Sequence, residues 1–228
     1  SSAQRVGSPG TSALSLTVGS IARSDATQRG SRVSATPARC TSVFSRIGPG
    51  YEVVSPERQS TVKPEFVAYG GNFAVETIAG TSPHWVEDPL LKEPALRLPG
   101  ADQRVLTYAI GSSIAAPQVA SIAGQAMAAL KRTLEGEPSA NAVRALLGAG
   151  AESISEIGDA LAAQPDAELL AMRLAGYGLC NADAVRFSRP SDLCLIAEGV
   201  LPDDHWQLFR IPVPEAFLSA KGRRGLTV

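Results

Sequence analysis

The stretch Ile110–Gly124 reads IGSSIAAPQVASIAG and places two adjacent serines directly before a run of small apolar residues. The apolar character continues to Leu130, which predicts a helix over residues 114–130 that is buried on every face. Ser112 and Ser113 then lie at the N-terminus of this helix. Free amide groups and the positive end of the helix dipole favour an anion at that position.

The N-terminus of the predicted helix also has features that suit a nucleophilic serine. Pro117 lacks an N–H, so the carbonyl of Ser113 loses its usual helical partner. A serine here has free amides that stabilise an anion, an N–H of its own aimed at an oxyanion, and a rigid direction for its Oγ. It still needs a histidine oriented by a carboxylate as its base. Without that base, Ser113 is only an N-terminal cap. Ala115 excludes the α/β-hydrolase elbow, whose G-x-S-x-G motif needs glycine there.

The composition limits the classes of partner. Charged residues make up 19% of the 228 residues and the net charge is -1, so we expect neither nucleic acid nor an acidic membrane as a partner. No apolar run reaches the ~18 residues of a membrane span. The cysteines Cys40, Cys180 and Cys194 are odd in number and lack CxxC spacing, which argues against a disulfide framework or a zinc site.

Upstream of the helix, apolar and β-branched segments predict strands. ALSLTVGSIA (13–22) predicts a largely buried strand, and KPEFVAYGGN predicts a strand at residues 65–68 followed by a turn at Gly70 and Gly71. TSVFSRIGPGYEVV predicts a short strand and a Gly-Pro-Gly turn. Residues 73–99 predict an extended loop with one strand at FAVETIA.

Downstream of the helix, three segments predict shorter helices. PSANAVRALLGAGAE predicts a helix that starts at Pro138 and Ser139 and stops at Gly148 or Gly150. DAELLAMRLAGYG predicts a short helix or turn, and NADAVRF a short helix capped by Asn181. Aromatic residues are scarce at 5%, whereas Ala, Gly, Ser and Pro abound, and this composition favours an α/β fold.

The character of the chain changes after Arg189 and Pro190. The strand-like runs LCLIAEGVL, HWQLFRIPVP and RGLTV predict the start of a β-rich C-terminal unit over residues 189–228. The chain opens on a polar loop without methionine and stops within the last run. We therefore expect a fragment that is truncated at both ends.

The serine stretch resembles the nucleophile segment G-T-S-M-A-x-P-H-V-A-G of the subtilisin-like serine proteases. Ser112, Ile114 and Gln118 replace the threonine, methionine and histidine of that motif. Four further segments are similar to family motifs in the same order: VGSPGTSALSLTVGSIA, FSRIGPG, VKPEFVAYGGN and AGYGLCNADAVRF. In the third, Glu65 and Tyr69 replace an aspartate and a proline. The resemblance covers roughly residues 5–188.

The resemblance implies a subtilisin-like parallel sheet with flanking helices, with residues 1–188 forming the C-terminal part of a peptidase domain. It also implies a serine endopeptidase that acts on a peptide or protein substrate without a cofactor. Ser113 would be its nucleophile and backbone oxyanion donor, and Ser112 a candidate hydroxyl beside the oxyanion. The family's Asp and His segments and its oxyanion asparagine are absent here, so we expect a missing N-terminal part to supply them.

Other candidate residues receive structural interpretations. Asn72 follows two glycines at the wrong place for the oxyanion role and is interpreted as a turn residue. His84 is predicted in a loop and His205 at the start of a strand, and neither has the context of the family's base. The acidic pairs at residues 87–88 and 203–204 are interpreted as solvated, so we predict no metal. Residues 73–104 are interpreted as an insertion near the active face or a surface excursion.

A second function stays open at this point. The departures at Glu65, Tyr69 and Gln118, together with the missing residues, also fit an inactive subtilisin-like module that acts in binding or assembly. The family's members are mostly secreted, whereas the unpaired cysteines leave a cytoplasmic bacterial protein open.

Overall fold

The computed structural model describes residues 5–50, 61–96, 106–134, 136–186, 194–196, 198–208, 210 and 212–219. A four-stranded sheet in the order β1–β3–β9–β8 lies at its centre. β1 (Val18–Ile21) runs parallel to β3 (Phe66–Tyr69), and β3 runs parallel to β9 (Leu179–Cys180). β8 (Ala151–Glu152) pairs antiparallel with β9. β1 and β3 confirm the strands predicted within residues 13–22 and 65–68, each in shorter or shifted form.

Helices cover both faces of this sheet: α1 (Ser112–Thr133), α2 (Ala140–Ala149), α3 (Ser155–Leu161), α4 (Ala167–Ala175) and α5 (Ala182–Arg186). Phe66 and Ala68 of β3 belong to a core cluster with residues of α1, α2 and α5. Val67 belongs to a second cluster with residues of α3 and α4. This alternation is the two-residue period of a strand buried on both faces, and it confirms the predicted α/β sheet with flanking helices.

Local capping signals in the sequence are confirmed. Ser139 is the N-cap of α2, and its side chain accepts a hydrogen bond of 3.1 Å from the Ala142 N–H. Asn181 precedes α5, and its Oδ1 accepts the N–H groups of Asp183 and Ala184 at 3.0 and 3.2 Å. Both side chains satisfy amide groups that have no partner inside their helix.

The helix α1 is longer than predicted, and the prediction that it is buried on every face is wrong for this chain. Its buried residues recur four or seven positions apart, while small residues on the opposite face are exposed, among them Ser113, Ala116, Ala120 and Gly124. Apolar composition shows that a helix can be buried, but the sheet, α2 and α5 contact only one side of it. No helix in the described part of the chain is long and apolar enough to cross a membrane.

The predicted extended loop at residues 73–99 contains three strands within its described part, residues 73–96. β4 (Ala74–Glu76) pairs with β2 (Arg32–Ser34) and β5 (His84–Val86) in a three-stranded antiparallel sheet, and a 3-10 helix spans Pro89–Leu91. β6 (Glu93–Leu96) then pairs with β7 (Leu106–Ala109), which leads into α1. Only β4 was predicted, at FAVETIA. The pairing of β2 with β4 joins residues 44 positions apart, and such contacts leave no local signal in the sequence.

Two other strand predictions are wrong among the described residues. TSVFSRIGPG forms isolated bridges, Ile21 with Thr41 and Arg5 with Ile47, and no strand. The described residues between 194 and 219 contain no strand, and their one element is the helix α6 (Glu215–Ser219). Trp206 and Leu208 are exposed there. An apolar run forms a stable strand only when other strands pair with it or a helix packs on it. RGLTV lies outside the described residues, and the division at residue 188 stays a prediction.

Candidate active site

Ser113 is the second residue of α1, and its side chain is exposed. Its hydroxyl makes no hydrogen bond with any other described residue. A nucleophilic serine must be open to both a base and a substrate, and Ser113 meets that requirement in this chain.

A backbone hydrogen bond fixes the helix entrance to the end of the parallel sheet. Gly70 follows the last residue of β3, and its carbonyl accepts the Gly111 N–H at 2.8 Å. Gly111 has φ 140° and ψ 155°, a conformation that side chains disfavour, and its carbonyl accepts the Ile114 N–H at 2.9 Å. Ser113 is therefore presented at the carboxyl edge of the sheet, where ligand sites of α/β folds form.

Glycine is required at position 70 because three segments meet there. A Cβ on Gly70 would lie 2.3 Å from Ser20 Oγ and 2.6 Å from the Gly111 carbonyl oxygen. Both distances are far below van der Waals contact. The absence of a side chain therefore lets the entrance of α1 approach β1 and β3 closely.

The first turn of α1 retains free donors. Within the described residues no backbone carbonyl accepts the N–H of Ser112 or Ser113, whereas the N–H of Ile114 is used. Ser112 also lines a cavity of about 350 Å³, together with Thr17, Val18 and Arg46 among others. An oxyanion beside Ser113 would meet amide donors and the positive end of a 22-residue helix.

Gln118, which replaces the histidine of the family motif, forms two side-chain hydrogen bonds. Its Nε2 donates to the Tyr69 carbonyl at 2.6 Å and to the Ile114 carbonyl at 3.0 Å, so this side chain binds α1 to the end of β3. Tyr69, which replaces the motif's proline, lies with its ring 4.0 Å from the Arg23 guanidinium carbon. Sequence reasoning missed this link, because a single glutamine carries no signal of its contacts.

The departure at Glu65 keeps a buried carboxylate in place. Glu65 pairs with the buried Lys63 and with Arg144, and its Oε2 accepts the Thr17 N–H at 2.7 Å. These contacts hold the entry of β3 against the entry of β1.

Asn72 lies inside the protein and not in an exposed turn, which corrects the interpretation above. It is fully buried, and its Nδ2 donates to Thr36 Oγ1 at 2.8 Å and to Ser34 Oγ at 3.1 Å. Its own N–H donates to the Leu91 carbonyl at 2.9 Å. These hydrogen bonds engage the Asn72 amide inside the fold, in agreement with the expectation that Asn72 is not the oxyanion donor.

The two histidines are both exposed and have local contacts only. His84 lies in β5 and not in a loop, with Nδ1 3.4 Å from the Ser82 carbonyl. His205 lies outside any strand, with Nδ1 2.8 Å from the Asp203 carbonyl. Neither forms a hydrogen bond with Ser113.

Only one of the two acidic residues at 87–88 is solvated. Asp88 is fully buried and binds Arg32 at 3.1 Å, whereas Glu87 pairs with Lys92 at the surface. Burial alone would raise the pKa of Asp88, but hydrogen bonds from Leu90 N, Arg32 and Gln28 N lower it below its ordinary value. In the described residues no group of three or more His, Cys, Asp or Glu could hold a metal ion. The acidic pair therefore serves structure.

Cys40 and Cys180 are buried free thiols, and Cys194 is an exposed one. Burial raises the pKa of Cys180 to about 12, and burial is also the main cause of the raised pKa of Cys40. Thiols of this kind stay protonated near neutral pH and are poor nucleophiles.

Comparison with known proteins agrees with this geometry. A family model described as the subtilase family matches residues 1–178. The chain belongs to the subtilase family. It is also 32% identical over 218 residues to y4bN of Sinorhizobium fredii (strain NBRC 101917 / NGR234), which is described as an uncharacterized protein. That match covers 93% of this chain and 47% of the relative, so the chain spans about half of the relative's length.

Proposed function

We propose that the intact protein is a serine endopeptidase in which Ser113 attacks the peptide carbonyl. The observation that carries the proposal is the placement of an exposed, unbonded hydroxyl at the N-terminus of α1, held at the carboxyl edge of the sheet by the Gly111 to Gly70 hydrogen bond. Membership of the subtilase family supports peptidase chemistry at the family level.

The proposed reaction follows the logic of a catalytic triad. A histidine, oriented by an aspartate, removes the proton of Ser113 Oγ as the oxygen attacks the substrate carbonyl. The Ser113 N–H, with Ser112 beside it, stabilises the oxyanion that forms. The amine leaves with a proton from the histidine, and water hydrolyses the acyl-enzyme. No cofactor takes part.

The base and its aspartate are proposed to come from a part of the protein outside this chain. His84 and His205 make only local contacts, and Ser113 has no partner among the described residues. The exposed small-residue face of α1, with Ala116, Ala120 and Gly124, offers a surface on which that part packs closely. We expect this chain alone to be inactive.

Peptide hydrolysis by the intact protein tests the proposal. We expect the wild type to cleave a mixture of quenched fluorescent peptides, and Ser113→Ala to lower the rate roughly 10⁴-fold or more, because the members of a triad act as one unit. Ser112→Ala is the matched control and should cost about 10-fold.

Two results would count against the proposal. Equal hydrolysis by the wild type and S113A would place the nucleophile elsewhere. A folded intact protein that cleaves no peptide would favour the alternative, an inactive subtilisin-like module that acts in binding or assembly.

A further inference from the structure

Two buried serine hydroxyls lie beside the Gly70–Gly71 segment, which follows β3 and is hydrogen-bonded to the entrance of α1. Ser20 of β1 is fully buried and Ser42 is 2% exposed. Ser42 Oγ lies 2.7 Å from the Gly71 carbonyl oxygen and 2.9 Å from Ser20 Oγ. A carbonyl only accepts, so Ser42 gives its one proton to Gly71, and Ser20 must donate to Ser42. The hydroxyls form a directed chain that ends on Gly71.

Ser42 is itself fixed in place. Its N–H donates to the Ser20 carbonyl at 2.9 Å, so both its backbone and its side chain are bound to β1. The Gly71 carbonyl belongs to the peptide that Gly71 forms with the buried Asn72, and Gly71, which follows Gly70, has φ +76°. Two glycines in succession are conformationally free, so hydrogen bonds and close contacts must define the orientation of this segment.

The same segment carries the acceptor that holds the nucleophile. Gly70 accepts the Gly111 N–H, and Ser20 Oγ lies against the Cα of Gly70. A rotation of the Gly70–Gly71 segment would move that carbonyl and the entrance of α1 with it. Ser113 lies two residues beyond Gly111, within the turn that the Gly111 carbonyl closes.

We propose that Ser42 is a positioning residue for Ser113 and acts through the Gly70–Gly71 segment. The proposal rests on the proposed function, because it concerns the reactivity of the same serine. Displacement of a reacting group by about 1 Å from its productive place costs about 100-fold in rate, so a partial loss of this restraint is measurable.

The chain offers a matched control in Ser45. Ser45 is 5% exposed, and its Oγ accepts the Ser20 N–H at 2.9 Å, so Ser45→Ala also removes one buried serine hydrogen bond to β1. In the described structure Ser45 has no hydrogen bond to Gly70 or Gly71. A difference between S42A and S45A therefore reports on the contact with Gly71.

The first readout is kinetic and uses the intact protein. We expect S42A to lower the rate constant of labelling by a fluorophosphonate, and kcat on a peptide, by about 10-fold, with KM changed by less than about 2-fold. S45A should lower the thermal midpoint to a similar extent and leave both rates within about 2-fold of the wild type. If S42A does not accumulate in a folded state, Ser42→Cys provides the weaker donor at the same place.

The second readout does not depend on activity. Amide hydrogen exchange of peptides that cover residues 110–114 should be faster in S42A than in S45A, because the Gly111 N–H loses its fixed acceptor. If the wild type neither reacts with the fluorophosphonate nor hydrolyses the peptide, the proposed function fails. The exchange measurement alone then tests whether Ser42 positions the entrance of α1. Identical exchange in the two variants, or equal labelling by them, overturns the inference.

Discussion

At the scale of single residues, the candidate site depends on the lack of side chains at Gly70 and Gly111 as much as on Ser113. Gly70 leaves room for Ser20 Oγ and the Gly111 carbonyl at distances that no side chain would permit. Gly111 adopts a φ of 140° that turns the chain into α1. The sequence motif singles out Ser113 as the candidate nucleophile, and the local backbone fixes where that residue lies.

Gly70→Ala tests this dependence directly. The added Cβ would lie 2.6 Å from the Gly111 carbonyl oxygen, so the entrance of α1 must move. We expect fluorophosphonate labelling of the intact protein to slow by about 100-fold. Gly158→Ala in α3 is the control, since a Cβ there meets nothing within 4 Å. It should raise stability by about 0.5 kcal/mol and leave labelling unchanged. Unchanged labelling in G70A would show that the contact does not orient Ser113.

The sequence could single out Ser113 as the candidate nucleophile, since its motif is local, and motif order then located the neighbouring segments. It could not identify Ser20, Ser42, Asn72 or Gln118 as supporting residues. Each acts through a partner far along the chain, and serine, asparagine and glutamine have no periodic pattern that reveals a contact. Their roles follow only when β1, β3 and α1 have been brought together.

At the scale of elements, prediction succeeded where the cause is local. The caps Ser139 and Asn181 mark the starts of α2 and α5 by hydrogen bonds within their own first turns. The sheet β2–β4–β5 was missed because its pairs join distant segments and because its packed positions include the charged Arg32 and Glu76. Conversely, apolar runs after residue 193 predicted strands that have no partner in the described residues.

An ionic cluster holds the β2–β4–β5 sheet together. Arg32 Nε binds Glu76 Oε1 at 3.0 Å and its Nη1 binds Asp88 Oδ2 at 3.1 Å. The hydrogen bond from Arg32 lowers the pKa of Glu76 below its ordinary value, and the pKa of Asp88 is also lowered. Both carboxylates are therefore charged at neutral pH and stabilise the sheet in that form.

The sign of the pH dependence follows from these directions. A carboxylate whose pKa is lower in the folded state stabilises it fully above about pH 4, and that contribution disappears as the pH falls through the folded value. We expect Asp88→Asn to destabilise the protein by about 2 kcal/mol at pH 7 and by progressively less towards pH 3. Thermal unfolding at several pH values measures this difference.

Glu87→Gln is the control for that experiment, because Glu87 lies at the surface and its pair with Lys92 is exposed. The stability of E87Q should equal that of the wild type at every pH. A gap between D88N and the wild type that stays constant from pH 7 to pH 3 would contradict the assigned pKa direction.

At the scale of the whole molecule, the fold explains why one helix combines a packed face with an open one. The central sheet, α2 and α5 cover one side of α1, and the opposite side presents small residues together with Ser113. The sequence predicted β1, β3 and the helices α1, α2, α4 and α5 in chain order, because each has its own local pattern, but it did not predict α3, β8 or β9. Which face of α1 has a partner depends on the whole assembly, and apolar composition does not contain that information.

The central claim is that Ser113 is the nucleophile of the intact protein. A fluorophosphonate tests it most directly, because the serine oxygen displaces fluoride from phosphorus and the new bond survives digestion and mass spectrometry. We predict one adduct per molecule, located on Ser113 and absent from S113A. An adduct on another residue, or none while a known serine peptidase in the same tube is labelled, would contradict the claim.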